Sequence, residues 1–146
     1  MPVRVYYEDT DAAGIVYYAS YLKFFERCRT EWMRQIVGSG QDDLMAGHGL
    51  AFAVKTVHVD YHAPGRLDDL LAVGLSVEKM GRAQVVFRQY ARRGEQYLVS
   101  GTVQVVCVDV GKMKSAPIPA VLREKVNAQL GTAAPENPSN QKESLA

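Results

Sequence analysis

The clearest pattern in the chain is an apolar stripe at helical spacing over residues 20–37. Apolar side chains recur there at intervals of three and four residues, as they do on one face of an amphipathic α-helix. The segment lacks glycine and proline, Ser20 is a candidate N-cap, and Gly38 is a candidate C′ residue. We therefore predict one long helix here. Its apolar positions are Tyr21, Phe25, Cys28, Trp32 and Ile36.

Runs rich in β-branched and aromatic residues predict strands on both sides of this helix. The short connections at residues 80–82 and 93–96 predict hairpins, so the last three strands should be antiparallel neighbours. The strands are predicted at residues 3–7, 52–62, 70–80, 83–92 and 97–110.

Residues 105–108 place apolar side chains on both faces of the last strand, a pattern expected only where both faces are covered. The long helix can cover only one face. The second cover would be a short C-terminal helix, for which Pro119 fits the first turn, or another subunit. We favour a subunit because the C-terminal helix is short.

This order of elements predicts an α+β fold with a single hotdog domain, in which a curved antiparallel sheet of about five strands wraps one long helix. The domain is expected to occupy residues 1–130. Residues 131–146 are rich in Ala, Pro, Asn, Ser and Glu and are predicted to be a disordered tail.

Composition narrows the possible functions. The 146 residues are 47% hydrophobic with a formal net charge of +1, as in one ordinary globular domain. A near-zero charge removes the usual case for nucleic-acid binding. Cys28 and Cys107 lie far apart in apolar settings, which indicates buried thiols in a reducing compartment. With no apolar signal segment at the start and no run long enough for a membrane span, we expect a cytoplasmic location.

Three carboxylates, Glu8, Asp9 and Asp11, lie in the loop before the predicted helix. Two interpretations are open. Acidic residues form turns well and are favourable near a helix N-terminus, whose dipole attracts negative charge. Alternatively, the small residues 12–14 leave room for a ligand beside Asp11, and free N–H groups at the helix start could hold a developing oxyanion opposite that carboxylate.

The run Glu8-Asp9-Thr10-Asp11-Ala12-Ala13-Gly14 and its surroundings, residues 5–21, resemble the signature of the 4-hydroxybenzoyl-CoA thioesterase family of hotdog proteins. The resemblance is strongest to its Tol-Pal-cluster acyl-CoA thioesterase branch. Segments 25–31, 61–69 and 105–109 also agree, so the resemblance covers most of residues 3–126. Such an extended match is more specific than an isolated Asp-x-x-Gly and favours the catalytic interpretation of Asp11.

The resemblance implies an acyl-CoA thioesterase that hydrolyses a short-chain or aromatic acyl-CoA to free acid and CoA. It also implies a homotetramer, built as a dimer of dimers, that uses no metal or other cofactor. The family's catalytic aspartate, which attacks the thioester carbonyl or activates a water, falls on Asp11. The backbone N–H that polarises the thioester oxygen falls on Tyr18, where the Tol-Pal branch tends to carry histidine. Further substrate contacts are expected from Gly14, Ile15, Val16 and Tyr17.

Other candidate residues are weaker. The phosphates of CoA need cations, for which we consider Arg66, Lys79 and Arg82, although each could equally be a solvated surface charge. Glu26 on the helix ranks below Asp11 as a catalytic carboxylate. His58 and His62 share one strand face with Asp60 between them, but no fourth ligand is near in sequence, so ordinary strand residues are favoured over a metal site.

Two further hypotheses concern function. The chain could be an interaction protein for an acyl chain or an acyl-carrier protein, linked to the cell envelope and with little hydrolysis. It could also be a hotdog dehydratase or hydratase, but that chemistry needs a histidine with a carboxylate at the helix. The predicted helix has no histidine, which argues against this last hypothesis.

Overall fold

A computed structural model of the chain describes residues 1–38 and 45–130. The tail predicted at 131–146 lies outside the described residues. Short 3₁₀ turns occur at Tyr7–Asp9 and Ala46–His48. The helices are α1 (Ser20–Val37) and α2 (Ala120–Ala128), and the strands are β1 (Pro2–Arg4), β2 (Leu50–Tyr61), β3 (Leu70–Met80), β4 (Gln84–Arg93), β5 (Gln96–Asp109) and β6 (Lys114–Ser115).

Helix α1 has the predicted bounds and forms the centre of the core. Its buried side chains include Phe24 and Phe25, both with no exposed surface, and Trp32 and Ile36 pack half-buried against the same cluster. The prediction that Ser20 is the N-cap is wrong: Ala19 occupies that position. The Ser20 hydroxyl donates instead to the Asp9 carbonyl oxygen at 3.3 Å, because the preceding loop folds back over the helix start.

Gly38 ends α1 with a φ of +76°, a left-handed value that glycine adopts without steric cost. Gly38 is the C-cap residue and not, as predicted, the C′ residue that follows the cap. Its N–H donates to the carbonyl oxygen of Arg34.

The strands form one curled antiparallel sheet in the order β1-β3-β4-β5-β2, with β6 paired to β5. Both predicted hairpins are confirmed, since β3 pairs with β4 and β4 with β5. The bounds of β3 match the prediction, whereas β1 is shorter than predicted because the chain turns into the 3₁₀ segment at Tyr7. The sheet curls around α1, so the predicted hotdog layout is confirmed.

The two faces of β5 differ in burial. Val105 and Cys107 are buried against the α1 side, whereas Val106 and Val108 are only half-buried. Helix α2 contacts α1 and adds Leu122 and Val126 to the same core. It therefore does not supply the second cover predicted for β5, and cover by another subunit stays a prediction.

Strand β2 lies at the edge of the sheet and pairs only with β5 among the described strands. Residues 53–58 are exposed, including Val54 at 51% and Val57 at 39%. An edge strand carries a row of backbone groups without sheet partners, and here it also carries exposed apolar side chains. This edge is therefore a candidate surface for pairing with another strand.

Candidate active site

The loop before α1 closes on itself and is fastened to the connection between β2 and β3. Within the loop, the Asp11 N–H donates to the Ile15 carbonyl oxygen at 2.9 Å and the Gly14 N–H to the Asp11 carbonyl oxygen at 3.0 Å. Across the junction, the Val16 N–H donates to the Gly65 carbonyl oxygen at 2.8 Å, and Ile15 forms a bridge with Arg66. The loop is therefore held from both sides, which fixes the carboxylate that it carries.

The Asp11 carboxylate is exposed, and only one of its oxygens is used in the loop. Oδ1 accepts hydrogen bonds from the backbone N–H groups of Ala13 at 2.8 Å and Ile15 at 3.4 Å, as in an Asx turn. No hydrogen bond to Oδ2 is present among the described residues. Asp11 thus has a fixed orientation and an oxygen open to a ligand.

Asp9 has a different environment, which divides the acidic cluster into two kinds of group. Its side chain is buried, and Oδ2 accepts the Tyr6 N–H at 2.9 Å. Its carbonyl oxygen accepts from the Tyr17 N–H at 2.8 Å and from the Ser20 hydroxyl. The first interpretation of the acidic cluster, in which the carboxylates stabilise the turn and the helix start, therefore applies to Asp9. Glu8 is exposed.

The two residues just before the first helical residue of α1 have unpaired backbone donors close to this loop. Neither the Tyr18 N–H nor the Ala19 N–H has an acceptor within residues 1–38 and 45–130, whereas the N–H groups of the first helical residues are paired, that of Ser20 with the Tyr17 carbonyl oxygen at 2.8 Å. The helix dipole adds partial positive charge at this end of α1. The backbone at Tyr18 can therefore stabilise a negatively charged oxygen.

Four tyrosines line this region in a chain of ring contacts. The ring centroids of Tyr17 and Tyr18 are 4.7 Å apart, those of Tyr18 and Tyr61 are 6.2 Å apart, and those of Tyr21 and Tyr61 are 5.9 Å apart. The Tyr61 hydroxyl donates to the Tyr18 carbonyl oxygen at 3.2 Å. Burial raises the pKa of Tyr61 and of Tyr21, which favours the neutral phenols.

Reasoning from the sequence alone assigned no specific role to Tyr61. The available signal was its place at the end of the predicted strand 52–62 and at the start of segment 61–69, which agrees with the family resemblance. Gly65, in the connection between β2 and β3, lies close to Tyr21. The Gly65 N–H donates to the Tyr21 hydroxyl oxygen at 3.2 Å, and a Cβ added at Gly65 would lie only 2.6 Å from that oxygen.

The four predicted substrate contacts, Gly14, Ile15, Val16 and Tyr17, all lie in the fastened loop. Gly14 has a φ of +74°, and an added Cβ would meet no atom within 4 Å. The loop therefore needs glycine for backbone conformation and not for space. Val16 is buried, whereas Tyr17 is exposed, so Tyr17 is the more accessible of these two side chains.

The predicted phosphate-binding cations fall at two ends of the sheet. Arg66 lies beside the loop through its bridge with Ile15. Lys79 and Arg82 lie at the far end of β3, which is about 30 Å away for a strand of this length. The structure therefore brings Arg66 to the loop that carries Asp11 but does not bring Lys79 or Arg82 to this loop within one chain.

The candidate metal ligands on β2 are dispersed. His58 lies 3.5 Å from Asp60, with both side chains largely exposed, and His62 shares a 2.7 Å hydrogen bond with Ser100. In the part of the chain that the structure describes, no three His, Cys, Asp or Glu residues cluster in a way that could hold a metal ion. None of the described helices is long and apolar enough to cross a membrane.

Two adjoining cavities separate α1 from the β2 edge. The first has a volume of about 370 Å³ and is bordered by Arg29, Met33, Phe52, Phe87 and Val105, among other residues. The second, of about 440 Å³, lies toward the N-terminal half of α1 and shares Glu26, Arg29 and Val54 with the first. Glu26, the lesser catalytic candidate, is exposed here, and its carboxylate accepts the Thr30 hydroxyl at 2.9 Å.

Comparison with known proteins places the chain in a family. Residues 13–100 match the model of the thioesterase superfamily. The acyl-CoA thioesterase YbgC of Haemophilus influenzae is 49% identical over 81% of this chain and 86% of its own length. The acyl-CoA thioester hydrolase YbgC of Escherichia coli O6:H1 is 48% identical over 81% of this chain and 87% of its own.

A solved structure gives the same result for the fold. The crystal structure of a probable thioesterase from Bartonella henselae aligns with a TM-score of 0.70 and 32% identity, over 82% of this chain and 95% of that one. The chain therefore belongs to the thioesterase superfamily, and it is a thioester hydrolase with the hotdog fold.

Proposed function

We propose that the protein hydrolyses a short-chain or aromatic acyl-CoA to the free acid and CoA, with Asp11 as the catalytic carboxylate. The observation that carries this proposal is the fastened loop, in which Asp11 keeps Oδ2 open while the Tyr18 N–H a few residues later lacks an acceptor. Relatives named as acyl-CoA thioesterases support the substrate class.

In the proposed reaction the thioester oxygen accepts a hydrogen bond from the Tyr18 N–H, which stabilises the negative charge that develops there. Asp11 then acts in one of two ways. It attacks the carbonyl carbon, expels the CoA thiolate and forms a mixed anhydride that water hydrolyses, or it takes a proton from the water that attacks. Both routes need an ionised carboxylate, the usual state of an aspartate at neutral pH.

The site is proposed to be completed between two copies of the chain, in a homotetramer built from dimers. Support comes from the exposed apolar edge at β2, which a second copy could cover. Arg66 would bind a phosphate of the CoA that occupies the site of its own subunit. Lys79 and Arg82 could bind a phosphate only at the site of a different subunit. A cytoplasmic location belongs to this proposal, as both Cys28 and Cys107 are buried free thiols.

Thiol release from a panel of acyl-CoA thioesters by the purified protein tests the proposal. The panel should run from acetyl to hexanoyl chains and include benzoyl-CoA. Turnover of at least one short or aromatic member is expected. If none releases thiol while the protein binds acyl-carrier protein, the alternative role as an envelope-linked interaction protein would replace hydrolysis.

The role of Asp11 is tested separately by a single turnover in water enriched in heavy oxygen. Label found in the enzyme carboxylate indicates the anhydride route, because water has then attacked the Asp11 carbonyl carbon of the anhydride. Label found only in the product acid indicates that water attacked the acyl carbonyl carbon, and the absence of an acyl-enzyme that can be trapped during the same turnover then assigns direct attack by water.

A further inference from the structure

A polar pair of one buried and one half-buried side chain lies under the middle of α1, away from the Asp11 loop. Gln89 on β4 has no exposed surface, and its amide nitrogen donates to the Phe25 carbonyl oxygen at 3.0 Å. Its amide oxygen accepts Nη1 of Arg29 at 2.8 Å. Both ends of the amide are therefore engaged, and Gln89 holds the Arg29 guanidinium in one position.

Arg29 forms no ion pair in the described part of the chain. No carboxylate among residues 1–38 and 45–130 lies within 4 Å of its guanidinium. Glu26, one helical turn earlier, has its carboxylate bonded to Thr30. Burial lowers the pKa of Arg29, which reflects the cost of removing the charge from water, and the nearby Glu26 carboxylate offsets this effect only in part. A guanidinium has five N–H donors, and Gln89 uses one.

The guanidinium borders the cavity of about 370 Å³ between α1 and the β2 edge. Most of the other lining side chains are apolar, and Met33, Phe87 and Val105 among them are buried. Glu26 and Thr30 are the other polar side chains of the lining, and the Thr30 hydroxyl donates to the Glu26 carboxylate. A cavity of this size with apolar walls and a few fixed polar groups is typical of a small-molecule site. The fixed donor here is Arg29, so the cavity has the features expected for an apolar ligand that carries an oxygen acceptor.

We propose that this cavity binds the acyl group of the substrate and that Arg29 donates to an oxygen atom far from the thioester. The substrate class is then a short acyl-CoA with a carboxylate or carbonyl oxygen toward the end of its acyl chain. This inference rests on the proposed function and deepens it, because it assigns a specificity-determining residue to the same reaction.

The proposed dimer makes this assignment geometrically possible. Within one chain, Arg29 lies nine residue positions after Ser20, which is about 14 Å along α1. A two-fold axis through paired β2 edges would set the two α1 helices antiparallel. The N-terminal end of each helix, with its Asp11 loop, would then lie toward the Arg29 half of the other helix.

The test compares three five-carbon substrates: pentanoyl-CoA, 4-oxopentanoyl-CoA and glutaryl-CoA. The wild-type protein should prefer at least one of the two oxygen-bearing substrates over pentanoyl-CoA by about tenfold or more in kcat/KM, the size expected for a hydrogen bond to a charged group. A preference for glutaryl-CoA assigns a carboxylate, and one for 4-oxopentanoyl-CoA assigns a neutral oxygen. Either result supports the inference.

The variants R29M and R34M separate recognition from general effects. Methionine fills space without a donor, so R29M should bring the preference to within about twofold of unity. Arg34 lies on the exposed side of α1, where it pairs with Glu31, and it borders neither cavity. R34M should therefore keep the wild-type preference.

An unchanged preference in folded R29M would overturn the inference. If R29M does not fold, R29K replaces it in the test. Lysine keeps the charge but loses the planar guanidinium, so the substrate preference should fall at least about threefold. An unchanged preference in R29K would also overturn the inference. Wild-type hydrolysis of pentanoyl-CoA without any preference defeats this inference alone. Absence of thiol release from every acyl-CoA defeats the proposed function instead.

Discussion

The Tyr61 hydroxyl donates a hydrogen bond to the Tyr18 carbonyl oxygen at 3.2 Å, which ties the last residue of β2 to the residue whose N–H lacks an acceptor. The Tyr61 ring also packs edge-on against Tyr18. The edge of the sheet therefore supports the backbone at the start of α1. Since the proposed oxyanion donor belongs to that backbone, Tyr61 is a positioning residue.

Tyr61→Phe should lower kcat about three- to tenfold while KM changes less, because the ring contacts remain but the Tyr18 backbone loses one restraint. The cost in unfolding free energy should be about 1 kcal/mol or less, as for one partly exposed hydrogen bond. Steady-state kinetics and urea unfolding measure the two effects. Tyr7→Phe is the matched control, since the Tyr7 side chain is 82% exposed, and equal losses in both variants would contradict the positioning role.

Asp11→Asn should lower kcat by about 10²–10⁴-fold, the usual contribution of a general base or nucleophile. The fold should survive because an asparagine Oδ1 can accept the same N–H groups from Ala13 and Ile15. Thiol release under saturating acyl-CoA and circular dichroism check the two statements. Glu8→Gln, which neutralises an exposed carboxylate of the same loop, should stay within about twofold of wild type. Comparable activity in Asp11→Asn and wild type would remove Asp11 from the reaction.

The parts of this structure that could be predicted are those encoded by local pattern. The bounds of α1 and β3 follow from apolar periodicity and from the residues that flank each run, and both hairpins follow from short polar connections. The N-cap of α1 was mispredicted because a serine hydroxyl can either accept a hydrogen bond from a helix N–H or donate one to a carbonyl oxygen. Which of the two Ser20 does depends on the path of the Asp9 loop.

The site could be predicted only in part because its geometry depends on contacts between distant residues. Sequence alone does not separate buried Asp9 from exposed Asp11, since the path of the loop follows from the pairing of Val16 with Gly65. The same holds for Arg29, whose environment is set by Gln89 on another strand. Arg66 and Lys79 are similar charges in sequence, but β3 separates them by nearly its full length.

Gly65→Ala should destabilise the fold by about 1–3 kcal/mol, the usual cost of overpacking. The added Cβ would lie 2.6 Å from the Tyr21 hydroxyl oxygen and 2.9 Å from Cγ2 of Val16, and both of those side chains are buried. Urea unfolding measures the loss. Gly47→Ala is the control, because its Cβ would meet no atom within 4 Å and its φ is not positive. Equal unfolding free energies of the two variants would show that the loop moves to accommodate the added Cβ without loss of stability.

Burial raises the pKa of both cysteine thiols, Cys28 and Cys107, above the ordinary value of 9.0. An unfolded thiol then ionises at a lower pH than the folded one. The buried neutral thiols therefore make their full contribution to the unfolding free energy below pH 9.0, and this contribution falls as the pH rises further. Urea unfolding between about pH 7 and pH 10 should show this decline, and the double variant Cys28→Ala/Cys107→Ala should show a smaller one. The native thiols should also react slowly with a disulfide reagent, which keeps them out of the thiol-release signal. Rapid labelling of both thiols in the folded protein, or an equal decline in the double variant, would contradict their burial as the cause.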